Sequence, residues 1–465
     1  MLGIASEGRD MRLRRKVYDQ LIRWKEQSQG TTAVLVEGAR RIGKSTVIEE
    51  FARNEYDDYL LLDFAKETDA LKRNFENIGE IETFFRNLFL LKGRTLKGRR
   101  CAIIFDEVQM CPAARQAIKY LVADGRYDYL ETGSLISIKK NVKDIVIPSE
   151  EHRIAMYPLD FEEFLWALGD DVTAPAIIDA FNNRQPLGDD VHRCVMDKLR
   201  RYMVVGGMPQ SVMAYIENKS YEQIDAIKRS IVNLYYEDLK KYDDDNREKA
   251  SVVFKTIPEQ LYNHNSHFRM SKVDKNARYK NYNDAIEFIA ESRIGNECIN
   301  VTDPEIALGA FADRSNFKMY MGDTGLLVTQ MMSSNSITDE NLYKSLIFNK
   351  LGINQGIIME NLVAQMMRAN GHALYFHEFK CHEEKKNEVD NKQNEKSYEI
   401  DFLTVSNRKL NIIEVKSSSY KQHTSFDKFK QKYQLKINEQ YILYTKDLTE
   451  KDGVLYLPVY MAMCL

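Results

Sequence analysis

A glycine-rich segment follows directly after a short apolar run in this chain. Residues 33–36 read Ala-Val-Leu-Val, and residues 38–45 read Gly-Ala-Arg-Arg-Ile-Gly-Lys-Ser. In a G-x-x-x-x-G-K-S sequence the glycines let backbone N–H groups point at phosphate oxygens, the lysine reaches the β- and γ-phosphates, and the serine hydroxyl can ligate Mg²⁺. The sequence therefore predicts a nucleotide-phosphate site formed by Gly38, Ala39, Arg40, Arg41, Ile42, Gly43, Lys44, Ser45 and Thr46.

A second apolar run ends in two acidic residues. Residues 101–105 read Cys-Ala-Ile-Ile-Phe and are followed by Asp106 and Glu107. This pattern predicts a buried parallel strand that carries two carboxylates to the edge where open α/β sheets bind ligands. We expect Asp106 to contact Mg²⁺ through water and Glu107 to polarise the water that attacks the γ-phosphate. The alternative is a core strand that ends in two solvated acids. Together the two segments predict a P-loop ATPase that uses ATP and Mg²⁺, with Lys44 and Glu107 as catalytic residues.

Residues 11–168 alternate apolar strands with helical stretches, which predicts a parallel sheet covered by helices on both faces. Thr132 and Ser134 follow the fourth predicted strand, where a polar side chain can sense the γ-phosphate; a plain turn is the alternative. Arg153 begins the fifth predicted strand. It is either an ordinary exposed arginine or a catalytic arginine finger that reaches phosphate within its own subunit or, in a homo-oligomer, from a neighbour.

Composition limits the classes of partner and compartment. A chain of 465 residues predicts two or three domains. A formal net charge of −3 gives no general attraction to nucleic acid, so DNA contact depends on local basic patches. Six scattered cysteines without a C-x-x-C favour a reducing cytoplasm over a disulfide framework. With no long uncharged apolar stretch and no signal-peptide pattern, we expect no membrane partner.

The helical pattern from residue 161 to about residue 245 predicts a lid or connector. Residues 247–330 hold short helical patterns and then a strand-like return, which predicts a winged-helix-like module that contacts either DNA or a protein. The predicted domains are an ATPase core at 1–168, a helical lid at 169–246, a winged-helix-like domain at 247–330, a linker at 331–355 and a C-terminal domain at 356–465.

A second group of chemical residues lies in the C-terminal domain. Asp401 and Glu414 fall on two predicted strands joined by a tight turn, so both carboxylates can reach one edge and hold Mg²⁺ or Mn²⁺. Lys416 shares a strand face with Glu414 and can orient or deprotonate a water beside that metal. Glu360 lies on a helix ahead of both. This D…E-x-K pattern is typical of restriction-endonuclease-like nucleases; the alternatives are an inactive nuclease fold or a strand pair with acids at its rim.

The whole chain resembles a large family of prokaryotic AAA-superfamily ATPases that join an N-terminal ATPase module to a C-terminal domain of unknown function. The resemblance is carried by residues 38–45, 105–107, 132–134, 157–161, 163–164, 206–209, 320–327, 360 and 414–416. It implies ATP binding, a winged-helix middle and a nuclease-like end, and it supplies no biological role. Two departures are Arg41-Ile42 in place of the more usual Gln-Val and a long charged insert at residues 383–396.

The predicted fold class is therefore α/β, with an AAA-type parallel sheet, a helical lid, a winged-helix-like middle and a restriction-endonuclease-like C-terminal domain. The predicted function is an ATP-hydrolysing switch coupled to a nuclease-like domain that acts on nucleic acid. The alternative is an ATP-dependent regulatory protein whose nuclease-like domain is a non-catalytic docking module for a protein partner.

Overall fold

The structure is a computed structural model that describes most of the chain as two compact units. The described residues are 13–134, 149–242, 248–262, 267–275, 277–332, 340–347, 355–383, 394–417, 424–433 and 437–465. Those up to residue 171 form the first unit, apart from 38–42 and 134, which belong to the second unit together with residues 172 onward.

The first unit is built on a five-stranded sheet with helices between the strands. The strand order is β2-β3-β4-β1-β5, and the pairs β2–β3, β3–β4 and β1–β5 run parallel. The strands are β1 (Ala33–Gly38), β2 (Asp58–Asp63), β3 (Cys101–Asp106), β4 (Asp128–Ser134) and β5 (Glu151–Ala155). The helices are α1 (Lys16–Ser28), α2 (Lys44–Glu55), α3 (Asp69–Asn74), α4 (Ile81–Lys92), α5 (Pro112–Asp124) and α6 (Phe161–Ala167).

Aromatic packing fixes the position of β3. Phe105, the penultimate residue of this strand, makes edge-to-face contacts with Phe64 and Phe75, at centroid separations of 5.6 and 5.5 Å. Such pairs stabilise a core beyond the area that they bury. The register places Asp106 opposite Asp63 of β2. The next residue after this packed core is therefore held at the carboxyl end of the sheet.

Helix α6 begins with a capping box. The Asp160 carboxylate accepts the Glu163 backbone N–H at 2.9 Å, and the Glu163 carboxylate accepts that of Asp160 at 3.1 Å. This reciprocal pair satisfies two N–H groups that a helix start leaves without partners. The buried Arg15 side chain also donates to Glu163 at 3.2 Å. The family-like residues at this position therefore have a structural role in the first unit.

The second unit begins with helices. They are α7 (Thr173–Asn183), α8 (Asp189–Val205), α9 (Pro209–Ile216), α10 (Tyr221–Tyr242), α11 (Lys249–Tyr262), α12 (Met270–Val273), α13 (Tyr279–Glu291), α14 (Thr324–Met331), α15 (Glu340–Ile347), α16 (Gln355–Ala369) and α17 (Thr424–Tyr433). The buried Asp323 carboxylate caps α14 by accepting the Leu326 N–H at 2.9 Å, and it accepts the Gly207 N–H at 2.6 Å. The two glycine-containing motifs near residues 206 and 323 thus pack against each other.

An eight-stranded mixed sheet completes the second unit, in the order β12-β13-β11-β10-β9-β8-β6-β7. The strands are β6 (Gly295–Val301), β7 (Ala312–Met321), β8 (Leu374–Glu383), β9 (Asn394–Ser406), β10 (Lys409–Val415), β11 (Ile437–Tyr444), β12 (Thr449–Lys451) and β13 (Val454–Pro458). Its apolar core lies under β9, β10 and β11 and includes Ile400, Ile412 and Ile442.

The segment predicted as winged-helix-like contains three helices followed by two antiparallel strands, β6 and β7. However, β6 also pairs in parallel with β8, with Cys298 opposite Leu374, so both strands are part of the C-terminal sheet. The winged-helix assignment and the domain boundaries remain predictions. The predicted linker at 331–355 contains α15, whose Tyr343 is fully buried. This short helix packs against apolar residues of other segments, among them Val204 and Ile358.

A parallel sheet near the start of the chain, a helical region and a mixed C-terminal sheet confirm the predicted α/β class. Residues 384–393 of the charged insert lie outside the described residues. Among the helices that the structure describes, none combines the length and apolar character needed to cross a membrane.

Candidate functional site

The phosphate loop ends where α2 begins. Gly43, the N-cap residue, has φ of +92°, a left-handed conformation that glycine adopts without steric cost. Helix α2 spans 12 residues, and its first backbone N–H groups, which have no partner within the helix, can bind an anion. Lys44 and Ser45 occupy its first turn, with Lys44 buried and Ser45 exposed. The predicted phosphate-binding residues Lys44 and Ser45 therefore lie at a helix start, and phosphate binding there remains a prediction.

Three predicted residues meet at the carboxyl ends of β3 and β4. The Ser45 hydroxyl donates a hydrogen bond of 2.6 Å to the Asp106 carboxylate, and the Thr132 hydroxyl donates to the same oxygen atom. The Glu107 backbone N–H donates to the Thr132 hydroxyl at 3.2 Å. A hydroxyl and a carboxylate at this separation fit the oxygen donors that Mg²⁺ prefers when phosphate and water complete its coordination. The first unit therefore has a suitable set of groups for Mg·ATP.

Glu107 and Gln109 form a pair that the sequence analysis did not identify. Glu107 has φ of +53°, an uncommon conformation for a non-glycine residue. The amide nitrogen of Gln109, which is 4% exposed, donates to the Glu107 carboxylate. Backbone strain of this kind is concentrated at functional sites. The signal available in the sequence was a polar residue two positions after the acidic pair.

Arg153 lies in a different part of the first unit. On β5 it is opposite Leu35 of β1, three positions before Gly38. Its guanidinium donates to Glu151 at 2.7 Å, and Glu151 also binds the buried Arg115. The structure does not bring Arg153 to the other predicted site residues, and its role as an arginine finger remains a prediction.

A buried carboxyl group lies beside these arginines. Burial raises the pKa of Glu131 well above its ordinary value; the negative charge of Glu151 acts in the same direction, whereas Arg115 and Arg153 oppose it. Glu131 is fully buried on β4. The cluster therefore has features of a structural ion-pair group within the sheet.

The remaining predicted ATP-binding residues lie along the loop and β4. Arg40 belongs to the second unit, where its guanidinium contacts the Asp238 carboxylate at 3.0 and 3.1 Å. The Tyr235 hydroxyl donates to the Arg40 carbonyl at 2.8 Å. Both partners lie on α10. Of the other positions, Gly38, Ala39, Ile42 and Ser134 are buried, whereas Arg41 and Thr46 are exposed.

The four predicted C-terminal residues converge in the second unit. Lys416 lies 2.9 Å from the buried Glu414 carboxylate, and Asp401 accepts the Val415 N–H at 2.7 Å. Burial raises the pKa of Asp401 well above its ordinary value, and the charges of Glu360 and Glu414 raise it further. The structure thus brings Glu360, Asp401, Glu414 and Lys416 together, and their role in a nuclease site remains a prediction.

Three further residues of this cluster were missed. Lys318 of β7 lies 3.1 Å from the Glu360 carboxylate and 2.5 Å from that of Glu399. The Tyr320 hydroxyl donates to Glu360. Lys318 and Tyr320 alternate with apolar residues and therefore share one face of the strand. That alternation was the signal available in the sequence. It did not show which acidic residues lie near Lys318 and Tyr320, or at what distance.

The divalent ion that the sequence pattern of the C-terminal cluster implies remains a prediction. A lysine ammonium lies beside two of its carboxylates. Across the described ranges, no three His, Cys, Asp or Glu side chains are grouped so as to hold a metal ion.

Comparisons with known proteins divide the sequence into three matched regions. Residues 30–165 match the family model of an AAA domain. Residues 196–336 and 355–461 each match a domain of unknown function, DUF8612 and DUF4143 respectively. The first match contains the phosphate loop and the acidic pair, so this region is similar to AAA-type P-loop domains. No curated protein matches the sequence.

Solved structures give only remote similarity. Cdc6p from Pyrobaculum aerophilum aligns at 11% identity over 75% of this chain and 97% of its own, with a TM-score of 0.24. A STAND protein (Signal Transduction ATPase with Numerous Domains) with a tetratricopeptide repeat sensor, from Pyrococcus horikoshii, aligns at 10% identity over 78% of this chain and 49% of its own, with a TM-score of 0.28. A Vibrio cholerae protein aligns at 11% identity over 88% and 95%, with a TM-score of 0.18. Similarity at this level extends no activity or partner to this chain.

Proposed function

We propose that this protein is an ATP-hydrolysing switch. The observation that carries the proposal is the 2.6 Å hydrogen bond between the Ser45 hydroxyl and the Asp106 carboxylate at the start of α2. This contact brings together the two oxygen donors that a P-loop ATPase uses around its metal. The match of residues 30–165 to an AAA domain supports the same conclusion.

Each first-unit residue has a distinct task in this proposal. The N–H groups at the start of α2 and the Lys44 ammonium bind the phosphates. Ser45 and Asp106 would hold Mg²⁺, which when bound neutralises phosphate charge. The Glu107 carboxylate orients the attacking water and accepts its proton, and Gln109 holds that carboxylate in place.

The proposed switch depends on how the loop is held. Arg40 is bound through its side chain by Asp238 and through its carbonyl by Tyr235. A change of loop conformation on nucleotide binding must therefore alter contacts with α10. The contacts of Arg40 thus support a role in which the nucleotide state changes the arrangement of the second unit.

ATP turnover tests this proposal. We expect the purified protein to release phosphate in Mg²⁺ and ATP, the Lys44→Ala variant to lose this activity, and an exposed-lysine control, Lys119→Ala, to retain it. Equal rates of phosphate release by wild type and Lys44→Ala, with and without DNA, would rule out ATP hydrolysis at this site. A rate that rises faster than linearly with protein concentration would indicate sites completed across subunits, as expected if Arg153 acts on a neighbour.

For the C-terminal domain we propose a non-cleaving docking module with a nuclease-like cluster. The lysine ammonium beside the Glu360 and Glu399 carboxylates supports this choice. The second candidate is a metal-dependent nuclease acting on DNA, which is favoured by the convergence of Glu360, Asp401 and Glu414. Supercoiled, linear, branched and single-stranded DNA should be incubated with wild type and Asp401→Ala in Mg²⁺ or Mn²⁺. Cleavage by wild type that is lost in the variant would establish the nuclease and refute the docking module.

A further inference from the structure

The ammonium group of Lys318 is buried against acids from two different elements. Only 9% of its side chain is exposed, and its nitrogen lies 3.1 Å from Glu360 on α16 and 2.5 Å from Glu399 on β9. A buried charge is tolerated when partners of opposite charge and hydrogen bonds replace the water that it has lost. Lys318 meets this requirement with two carboxylates.

The other acids of the cluster have their own partners. Glu414 lies against the Lys416 ammonium at 2.9 Å. One carboxylate oxygen of Asp401 accepts the Val415 N–H at 2.7 Å. Of the acids that a nuclease would offer to a metal, Glu360 is engaged by an ammonium and a hydroxyl, and Asp401 by an N–H. The buried Glu414 carboxylate has the Lys416 ion pair but accepts no hydrogen bond from the described residues. A divalent ion added among them would repel the ammonium of Lys318 at short range.

Several contacts hold the Lys318 side chain in this position. On β7, Lys318 is paired with Cys298 of β6, and the Cys298 side chain is fully buried. Its nitrogen lies 5.3 Å from the centre of the Phe376 ring, within the range of a cation–π interaction. Tyr320, on the same strand face, binds Glu360 as well. The ammonium is therefore part of a packed arrangement in which β7 and α16 are joined by charge.

We propose that the Lys318 ammonium takes the cation position of this cluster and that the cluster binds no divalent metal ion. The inference rests on the proposed non-cleaving role of the C-terminal domain. It explains that role by the presence of an internal cation in place of a catalytic metal ion. Glu360 and Glu399 bind this internal cation, and the pairing ties β7 to α16 and β9.

Mn²⁺ binding to the full-length protein tests this inference. Bound Mn²⁺ per chain is counted by electron paramagnetic resonance without ATP, in wild type and in Asp401→Asn. Every protein in this measurement also carries Asp106→Asn. This change removes the proposed metal ligand of the first unit, so that Mn²⁺ bound there does not contribute to the count. We expect wild type and Asp401→Asn to bind the same amount. Mn²⁺ that is bound by wild type and lost in Asp401→Asn would overturn the inference.

Removing the ammonium gives a second measurement. Lys318→Met should gain a bound Mn²⁺, and the further change Asp401→Asn should abolish it. Lys380→Met, which removes an exposed lysine of β8, is the matched control and should gain none. A folded Lys318→Met protein without the new ion would also refute the cation position. If that variant does not fold, the comparison of wild type with Asp401→Asn still decides.

The result can be separated from the tests of function. DNA cleavage that needs Asp401, with no Mn²⁺ at the cluster, would overturn only the docking role. Mn²⁺ at the cluster without DNA cleavage would overturn only the inference about Lys318. The Lys44-dependent release of phosphate is independent of both.

Discussion

The Arg115 guanidinium donates two hydrogen bonds of 3.0 Å to the Glu151 carboxylate. The two side chains are 2% and 0% exposed. Removing one partner of such a pair leaves a buried charge, which costs roughly 3–5 kcal/mol. Arg153 binds the same carboxylate with a side chain that is 41% exposed, and its loss should cost less than about 1 kcal/mol. We therefore expect Arg115→Met to destabilise the first unit strongly and Arg153→Met to do so weakly.

Urea unfolding followed by tryptophan fluorescence measures this difference. The chain has two tryptophans, Trp24 and Trp166, and both lie in the first unit. Equal losses in the two variants would show that the buried pair is not the stronger contact. If Arg153→Met lowers ATP turnover without lowering stability, the arginine-finger prediction gains its first support.

Glu107 is the residue whose loss should separate ATP binding from hydrolysis. Glu107→Gln keeps the size of the side chain but cannot accept a proton. We expect turnover to fall by about 100-fold or more, since a positioned general base contributes on the order of 10²–10⁴. Binding of a fluorescent ATP analogue should be unchanged, because Lys44 and Ser45 are intact. Turnover near the wild-type rate would assign the base to another residue.

Gln109 should act through Glu107. The Gln109 amide donates to the Glu107 carboxylate, so Gln109→Ala leaves the carboxylate without this contact. We expect turnover to fall by about 10-fold, as for a lost hydrogen bond of roughly 1.5 kcal/mol, and ATP binding to be kept. In the Glu107→Gln background the same change should have little further effect on turnover. Additive effects of the two changes would exclude a shared role.

The sequence could predict the parts of the sites that are local in the chain. Gly43, Lys44 and Ser45 are fixed by one loop and the helix that follows it, and Asp106 by the end of one strand. Their contact was predictable because the carboxyl ends of parallel strands lie at the same edge of a sheet.

The parts that depend on register and packing could not be predicted. Arg153 was correctly placed on the fifth strand, but only the pairing with Leu35 shows how far it lies from the loop. Lys318 joins Glu360 and Glu399 across segments that are distant in sequence. The sequence around a lysine in a strand does not show which buried acid it will contact, because the order of strands in the sheet determines which residues lie next to it.

Two glycines at the ends of α8 give a matched pair of substitutions. Gly188, its N-cap, has φ of +88°, and Gly206, its C-cap, has φ of +80°. A Cβ at Gly188 meets nothing within 4 Å, whereas one at Gly206 would lie 2.4 Å from the Asp323 carboxylate oxygen and 3.0 Å from the Gly325 Cα. Both glycines have backbone angles that are essentially restricted to glycine, so both alanine variants carry a conformational cost of about 1–3 kcal/mol. Only Gly206→Ala also forces buried backbone apart.

We therefore expect Gly206→Ala to lower the stability of the second unit by at least about 1–3 kcal/mol more than Gly188→Ala. Thermal and urea unfolding followed by far-ultraviolet circular dichroism compares the two variants. Equal destabilisation would mean that the segments around residues 206 and 323 can move apart to admit the methyl group without a loss of stability.

Glu297 on β6 should make the stability of the second unit depend on pH. Burial raises the pKa of its carboxyl group from the ordinary 4.5 to about 7, with Arg314 opposing this change and Glu287 adding to it. Between these two values the folded protein binds a proton that the unfolded chain releases. The contribution of Glu297 is therefore complete below pH 4.5 and is lost as the pH rises to about 7.

Glu297→Gln cannot ionise and should remove this dependence. The variant should match wild type near pH 5 and exceed its stability at pH 8, because wild type then carries a buried charge. Urea midpoints at several pH values, read by circular dichroism, give the comparison. Glu305→Gln, a change at an exposed glutamate of the same unit, is the control and should leave the wild-type slope intact. A Glu297→Gln curve parallel to wild type would show that this carboxyl group is ionised in the folded protein, since only a proton held in the native state produces the difference.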